Sequence, residues 1–463
     1  MKKTIVLFVL LSAIYLASAQ DKAKRLDSLM TELHQAKSFN GNILVAEKGN
    51  IIYQKSFGLA NEKSSKNLDL KTTFELASLS KQFTAMGIVQ LEKEGKLSYD
   101  DKMSKYIPEL ASYEGITIRN LLTHTGGLPD YMEFMSKEWD KSKIATNIDV
   151  ITTFSKLKPA ALFKPNENWD YSNTGYVLLA TIIERVSGKT FGDYLKAKVF
   201  KPLGMKNTFV YRRRFKPEKK NNSADGYVYS DSLKKKITPD EVADAFYVIY
   251  LDGIVGDGMV NSNLEDLLKW DRALYTDKLV SQKDKDLIFS SYKTTAGKET
   301  EYGFGWVPEQ NPVYGKIVSH SGGWAGFVNY IERHLDNDKT VILLQNNDTE
   351  ETKIPKKNIR KILYNQPIEK PFILDLAIQK LYAGKYVSDK GKEDEILFDE
   401  GLFMPLNADV KLKLIPISKT KFVVDGFSPE VTFEFILNPN GTVLKYRVQQ
   451  PEKGVDREAK RIN

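Results

Sequence analysis

Residues 78–93 read SLSKQFTAMGIVQLEK, and the architecture hinges on what the first four of them are for. Ser78 and Lys81 are three apart, a spacing that puts both side chains on one face of a helix. Phe83, Met86, Ile88, Val89 and Leu91 follow and mark a strongly apolar helical segment. A lysine buried among such groups has its pKa lowered and can serve as a base. A serine at a helix start sits near unpaired N–H groups and the positive end of the dipole, which favour a developing oxyanion. The tetrapeptide alone is weak, because S-x-x-K occurs five times, starting at Ser78, Ser155, Ser232, Ser290 and Ser418. By itself it reads more readily as an N-cap serine with a surface lysine. Only the copy at Ser78 opens an apolar helix; the others lie in Lys-rich polar stretches or in a β-patterned region.

Two further motifs, downstream, change that balance. Tyr171-Ser172-Asn173 is the only Y-x-N among 23 tyrosines, and it lies just before the apolar helix expected over Tyr176–Val186. A tyrosine beside a cationic lysine can exchange a proton with the serine. Asn173 can donate to a substrate amide and hold Lys81; the plainer alternative is a helix N-cap. Lys316-Ile317-Val318-Ser319-His320-Ser321-Gly322-Gly323 reads as a strand ending in small residues, along which a substrate backbone can lie. The N–H groups of Gly323 and Ser78 could together form an oxyanion hole. A similar run, His124-Thr125-Gly126-Gly127, ends the helix expected over Ile118–Thr123; it reads as a turn with a structural histidine. His34, on an N-terminal helix, and His334, in a charged turn, read as solvated. A G-x-S-x-G elbow and a G-x-x-x-x-G-K-[ST] loop are both absent.

In order, S-x-x-K, Y-x-N and H-S-G resemble the three active-site motifs of the serine β-lactamase and penicillin-binding protein superfamily. The tyrosine variant is similar to class C β-lactamases, D-Ala-D-Ala carboxypeptidases and related esterases. Other segments of residues 22–350 agree: Phe57-Gly58-Leu59-Ala60-Asn61, Leu121-Leu122-Thr123-His124-Thr125-Gly126-Gly127-Leu128-Pro129, Pro202-Leu203-Gly204-Met205, Gly256-Asp257-Gly258-Met259 and Tyr302-Gly303-Phe304-Gly305-Trp306. The resemblance implies an α/β (α+β) fold, an antiparallel sheet flanked by helices with an all-helical insertion. It makes Ser78 the acylated nucleophile and Lys81 and Tyr171 the pair that moves its proton. Asn173, His320, Ser321 and Gly322 would contact substrate, and Ser78 and Gly323 would bind the oxyanion. It implies no metal and no cofactor. His320 stands where β-lactamases and carboxypeptidases carry the lysine of Lys-[Ser/Thr]-Gly, a motif this chain lacks. A neutral imidazole loses the positive charge that binds a substrate carboxylate. With an ordinary pKa of about 6.5 it would regain that charge near pH 5.5.

The expected activity is therefore that of an esterase, amidase or D-aminopeptidase-like hydrolase working through an acyl-enzyme. The alternatives are a β-lactamase or D-Ala-D-Ala carboxypeptidase, and, in another class, a non-catalytic cell-wall or penicillin-binding sensor. The partner expected is a small molecule or peptide, cell-wall material among the candidates, and not nucleic acid; the oligomeric state is not legible.

Further out, Asn42–Ala46 and Ile51–Ser56 flank a turn and predict a hairpin. Roughly 75–290 reads as largely helical. Gly303–Pro308, Lys316–His320, Gly326–His334 and Thr340–Leu344 read as short strands. Strands at both ends with helices between predict one sheet carrying the middle as an insertion. Ile354–Pro371 reads as a linker. Beyond it, period-2 runs such as Val431, Phe433, Phe435, Leu437 and Leu444, Tyr446, Val448 predict a small antiparallel, barrel-like β domain with one wet face. The expected division is 1–19, 20–365 and 366–463.

At the N-terminus, Lys2 and Lys3 precede an apolar run, Thr4–Leu16, and the small-x-small site Ala17-Ser18-Ala19. That layout is a secretory signal peptide, so the protein is expected to be periplasmic or secreted, with no membrane span in the mature chain. Composition fits: the 463 residues are 41 % hydrophobic and 28 % charged, as in a soluble globular protein. The net charge of +8 is spread along the chain and is a poor argument for nucleic acid. With no cysteine, disulfides and thiolate chemistry are excluded, and four histidines lacking metal-ligand spacing argue against a histidine-based zinc site.

Overall fold

Strand-forming segments at the two ends of the first 365 residues pair with each other. The computed structural model describes residues 2–241, 247–368, 372–389, 391–406, 410–425 and 430–462, with side chains from residue 19 onward except at 452. By contacts it divides into Met1–Asn365 and Gln366–Asn463. In the first unit β1 (Gly41–Glu47) and β2 (Asn50–Phe57) form a hairpin, and β3 (Val307–Asn311), β4 (Gly315–Trp324), β5 (Phe327–His334) and β6 (Lys339–Gln345) form a meander. The sheet runs β3-β4-β5-β6-β1-β2, antiparallel throughout. Its closure is the β1–β6 pairing, with Gly41 opposite Gln345 and Glu47 opposite Lys339.

Every residue of β1 is buried, so the strand is covered on both faces. Successive side chains alternate between the faces. Leu44, Ala46, Ile342 and Leu344 join the main core with Phe83 and Trp270. Ile43, Val45, Val341 and Leu343, one residue out of phase, are also fully buried but belong to the opposite face. α1 (Lys2–Gln35) packs on β2 and on the helix Lys356–Leu363. The expected linker is thus partly helix: Ile359, Ile362 and Leu363 are buried, because three apolar residues at helical spacing found a surface to cover. Its last three residues, 369–371, lie outside the described residues, as do the side chains of residues 1–18 that carry the signal-peptide reading.

The middle is helical but not all-helical. Short antiparallel pairs, Phe74–Glu75 with Val260–Ser262 and Phe209–Val210 with Val260–Ser262, tie it together. Its spine is α2 (Lys81–Lys93) against α3 (Asn173–Ser187). Two assignments change. His334 lies on β5, fully buried, with Nε2 2.8 Å from Glu332 and Nδ1 3.0 Å from the Tyr364 hydroxyl. His34 is half-buried, its Nδ1 2.9 Å from the Phe39 carbonyl. An N-terminal helix around His34 and charged neighbours around His334 are facts of sequence, and they say nothing about neighbours in space.

The second unit is a closed barrel of eight antiparallel strands between Gly384 and Ile462. Tyr386, Phe422, Phe433, Phe435 and Tyr446 fill it. The expected alternation fails at one point: Val443 is buried and Leu444 is 50 % exposed. A bulge where Ile436 and Leu437 meet the next strand shifts the phase there.

Candidate active site

Lys81 is fully buried, and all three of its N–H hydrogens find an acceptor. Nζ is 3.1 Å from Ser78 Oγ, 2.9 Å from Asn173 Oδ1 and 3.1 Å from the Asp257 carbonyl. The ammonium also lies 4.8 Å from the centre of the Tyr171 ring and 5.6 Å from that of Tyr176. One side chain thus gathers the serine, the Y-x-N motif and the Gly256–Met259 segment.

Local structure explains the placement. Ser78 is not inside the α-helix but in a short 3₁₀ turn, Ala77–Ser80, that leads into α2. Ala77 has φ +50°, a left-handed conformation costing a non-glycine residue roughly 1–2 kcal/mol. The turn sets Ser78 half-exposed at the floor of a cleft, while Ser80 and Lys81 behind it are buried. Ser80 Oγ accepts from Val260 N–H at 3.0 Å, which pins the turn to the neighbouring strand. Asn173 is the first residue of α3, and the cap is Ser172, whose Oγ accepts from Gly175 N–H. Freed from capping, Asn173 donates its Nδ2 hydrogen to Asp130 at 2.8 Å and offers Oδ1 to Lys81. Asp130 therefore fixes which way the amide points.

The strand β4 runs past the turn at close range. A Cβ on Gly322 would come within 2.3 Å of the Leu76 carbonyl, so any side chain would drive the strand off the serine turn. A Cβ on Gly323 would meet nothing within 4 Å, and this residue borders open space beside Ser78. A cavity of about 630 Å³ opens there, lined by Ser78, Trp169, Tyr171, Tyr302, His320 and Gly323 among others. Ser321 lines it too. Ser155, Ser232, Ser290 and Ser418 do not.

His320 behaves differently from its sequence expectation. Its Nδ1 donates to the Ser321 carbonyl at 2.6 Å, and its Nε2 accepts from the Tyr302 hydroxyl at 2.9 Å. Tyr302 is itself buried, which pushes its pKa well up and keeps it a donor. A neutral ring is thus fully satisfied. Burial first, and the Lys81 charge second, push the His320 pKa down to about 4. The imidazole therefore stays uncharged at pH 5.5, contrary to the reading from an ordinary histidine. Only four histidines exist, so the assigned His320 ring-proton signal should titrate near pH 4 in an NMR series; a midpoint near 6.5 would restore the cationic reading.

His124, read as a turn histidine, does sit in a turn, with φ +58°. It also forms the back wall of the site. Its ring lies 4.4 Å from those of Tyr171 and Tyr302, and its Nδ1 accepts from Ser172 N–H at 3.0 Å. Burial, then the Lys81 charge, hold its pKa well below the usual value, so a neutral ring buttresses Tyr171. Sequence reasoning gives His124 only a structural role and gives none to Asp130, Asp257 or Tyr302, although His124, Asp257 and Tyr302 lie in segments singled out above and Asp130 directly follows one. Among the described residues no group of acidic or histidine side chains could hold a metal ion, and no helix is long and apolar enough to cross a membrane.

Comparison with known proteins agrees with this arrangement. The family described as Beta-lactamase matches residues 26–366. Penicillin-binding protein 4* of Bacillus subtilis (strain 168) is 43 % identical over 425 residues, covering 89 % of this chain and 94 % of that protein. The octameric penicillin-binding protein homologue from Pyrococcus abyssi superposes with a TM-score of 0.67 at 25 % identity, covering 94 % of this chain and 99 % of that one. D-amino acid amidase from Ochrobactrum anthropi SV3 shares the fold, with a TM-score of 0.61 at 23 % identity over 74 % of this chain and 99 % of its own. The chain belongs to the β-lactamase family and is a serine hydrolase of that family.

Proposed function

We propose that this protein hydrolyses an ester or amide through an acyl-enzyme on Ser78, in the manner of an esterase, amidase or D-aminopeptidase, and that it does so outside the cytoplasm. The observation that carries the reading is the Lys81 cluster: one buried ammonium 3.1 Å from the Ser78 hydroxyl, at the floor of a cleft.

The Lys81 cluster supports the following steps. Ser78 Oγ attacks the carbonyl carbon while its proton passes to Tyr171, which takes it as a phenolate held beside the Lys81 ammonium. The N–H groups of Ser78 and Gly323 hold the oxyanion, and need no reorganisation because both are backbone. Collapse breaks the bond to the leaving group, which takes the proton from Tyr171. Water then cleaves the Ser78 ester by the reverse proton route. Asn173, oriented by Asp130, binds the acyl side and holds Lys81 in place.

The neutral His320 separates this reading from a β-lactamase or carboxypeptidase, since no cation stands at that position for a substrate carboxylate. A labelling gel tests it. A fluorophosphonate should label the protein rapidly and a fluorescent penicillin slowly. Rapid penicillin labelling with fast turnover would move the protein to the β-lactamases, and no labelling by either would leave a non-catalytic binding protein.

Export rests on the basic start, apolar run and Ala17-Ser18-Ala19 site. The mature protein recovered from the periplasm or medium should begin at Gln20; a chain that retains Met1 in the cytoplasm would overturn this.

A further inference from the structure

Ser78 and Gly323 border a second cavity, of about 290 Å³, on the other flank of the nucleophile. The two cavities divide the site chemically. Tyr171 lines the larger one and Asn173 the smaller. The acid that protonates a leaving group must stand beside it, so the Tyr171 side receives the leaving group. The Asn173 side then receives the acyl group.

The acyl cavity is acidic. Glu75, Asp257 and Asp348 line it, and among the described residues no lysine or arginine does. Two of the three carboxyls are engaged: Asp257 accepts from the Tyr131 hydroxyl at 3.0 Å, and Asp348 accepts a backbone N–H from Gly326. Glu75 is not. Its backbone carbonyl takes Asn329 Nδ2 at 2.9 Å, but its carboxyl has no hydrogen-bond or ion-pair partner among the described residues, although the residue is only 8 % exposed. The arginines whose charge reaches it are committed elsewhere, Arg213 to Asp225 and Arg214 to Asp240 and Asp252. A buried carboxyl left unpaired is costly, and burial pushes the Glu75 pKa up to about 7. Tyr247 and Trp324, edge to face at 5.0 Å, form an aromatic wall of the same cavity. A cavity lined by both carboxyl-bearing and aromatic residues suits an organic cation.

Resting on Ser78 as the acylated nucleophile, we propose that this cavity seats the acyl group of the substrate and that the acyl group carries a primary ammonium, which pairs with Glu75. The amine could sit next to the carbonyl or at the end of a longer side chain, since both present the same charge.

Two matched substrate pairs at pH 7 tell these apart, each replacing an ammonium by a methyl group. One is D-alanine p-nitroanilide against isobutyric p-nitroanilide; the other is p-nitrophenyl 6-aminohexanoate against p-nitrophenyl heptanoate. Wild type should favour the ammonium member by about tenfold or more in kcat/KM in at least one pair, as expected of a charged hydrogen bond, and that pair places the amine. Glu75→Gln keeps the shape and should lower that ratio about tenfold; Asp348→Asn should lower it less. Fluorophosphonate labelling of Ser78 shows that each variant retains its site, and if Glu75→Gln lacks it, the wild-type ratios and Asp348→Asn decide. Ratios near one in both pairs, or a ratio untouched by the variants, overturn the ammonium inference while labelling at Ser78 leaves the hydrolase standing. Loss of labelling at Ser78 in wild type overturns both.

Discussion

Ser78→Ala should abolish covalent labelling by fluorophosphonate and reduce hydrolysis to the level that oxyanion binding alone supports. The effect is all-or-none for labelling because the hydroxyl is the atom that forms the bond. The fold should survive. The lost contact is one hydrogen bond from Lys81 Nζ, at 3.1 Å, worth about 0.5–1.5 kcal/mol net. The left-handed turn is made by Ala77, which stays. The control is built into the sequence: Ser155, Ser232, Ser290 and Ser418 carry the same S-x-x-K pattern but line neither cavity at the site. Alanine at any of these should leave labelling unchanged. Full labelling in Ser78→Ala, with the adduct mapped to another serine, would refute the assignment.

Lys81→Ala and Tyr171→Phe should each lower kcat by roughly 10²–10⁴-fold. Their combination should be little worse than the worse single variant. Both act on one proton, and removing either member of such a unit removes most of what the unit does. Losses that multiply would assign the two residues to separate steps. The variants should differ in stability. Lys81→Ala strands the Asn173 Oδ1 and Asp257 carbonyl acceptors in a buried site, a cost of about 1–3 kcal/mol. Tyr171→Phe keeps the ring that His124 buttresses at 4.4 Å and should melt close to wild type. Thermal unfolding of both separates a loss of chemistry from a loss of structure.

How much was legible in the sequence follows from the range of the physics involved. The i, i+3 relation of Ser78 and Lys81, the hairpin at Glu47–Asn50 and, apart from the bulge opposite Ile436 and Leu437, the alternation in the C-terminal strands are local, and they appear where expected. The return of the chain to one sheet could be anticipated because strands at both ends of a helical stretch have few other ways to hide their edges. By itself the sequence determined the three motifs, their order and the family they resemble.

Other features depend on desolvation and on contacts across long stretches of chain, and they emerge only on folding. The third acceptor for Lys81 is a backbone carbonyl 176 residues away, which no side-chain motif can announce. His320 lost its expected titration near 6.5 because its ring is buried and satisfied on both nitrogens. His334 passed from a solvated turn to a buried strand for the same reason. Glu75, three residues before the nucleophile, carries no motif at all. It stands out only because the fold buries its carboxyl beside Ser78 without a partner. Charge in a protein is set by surroundings, and surroundings are assembled by folding.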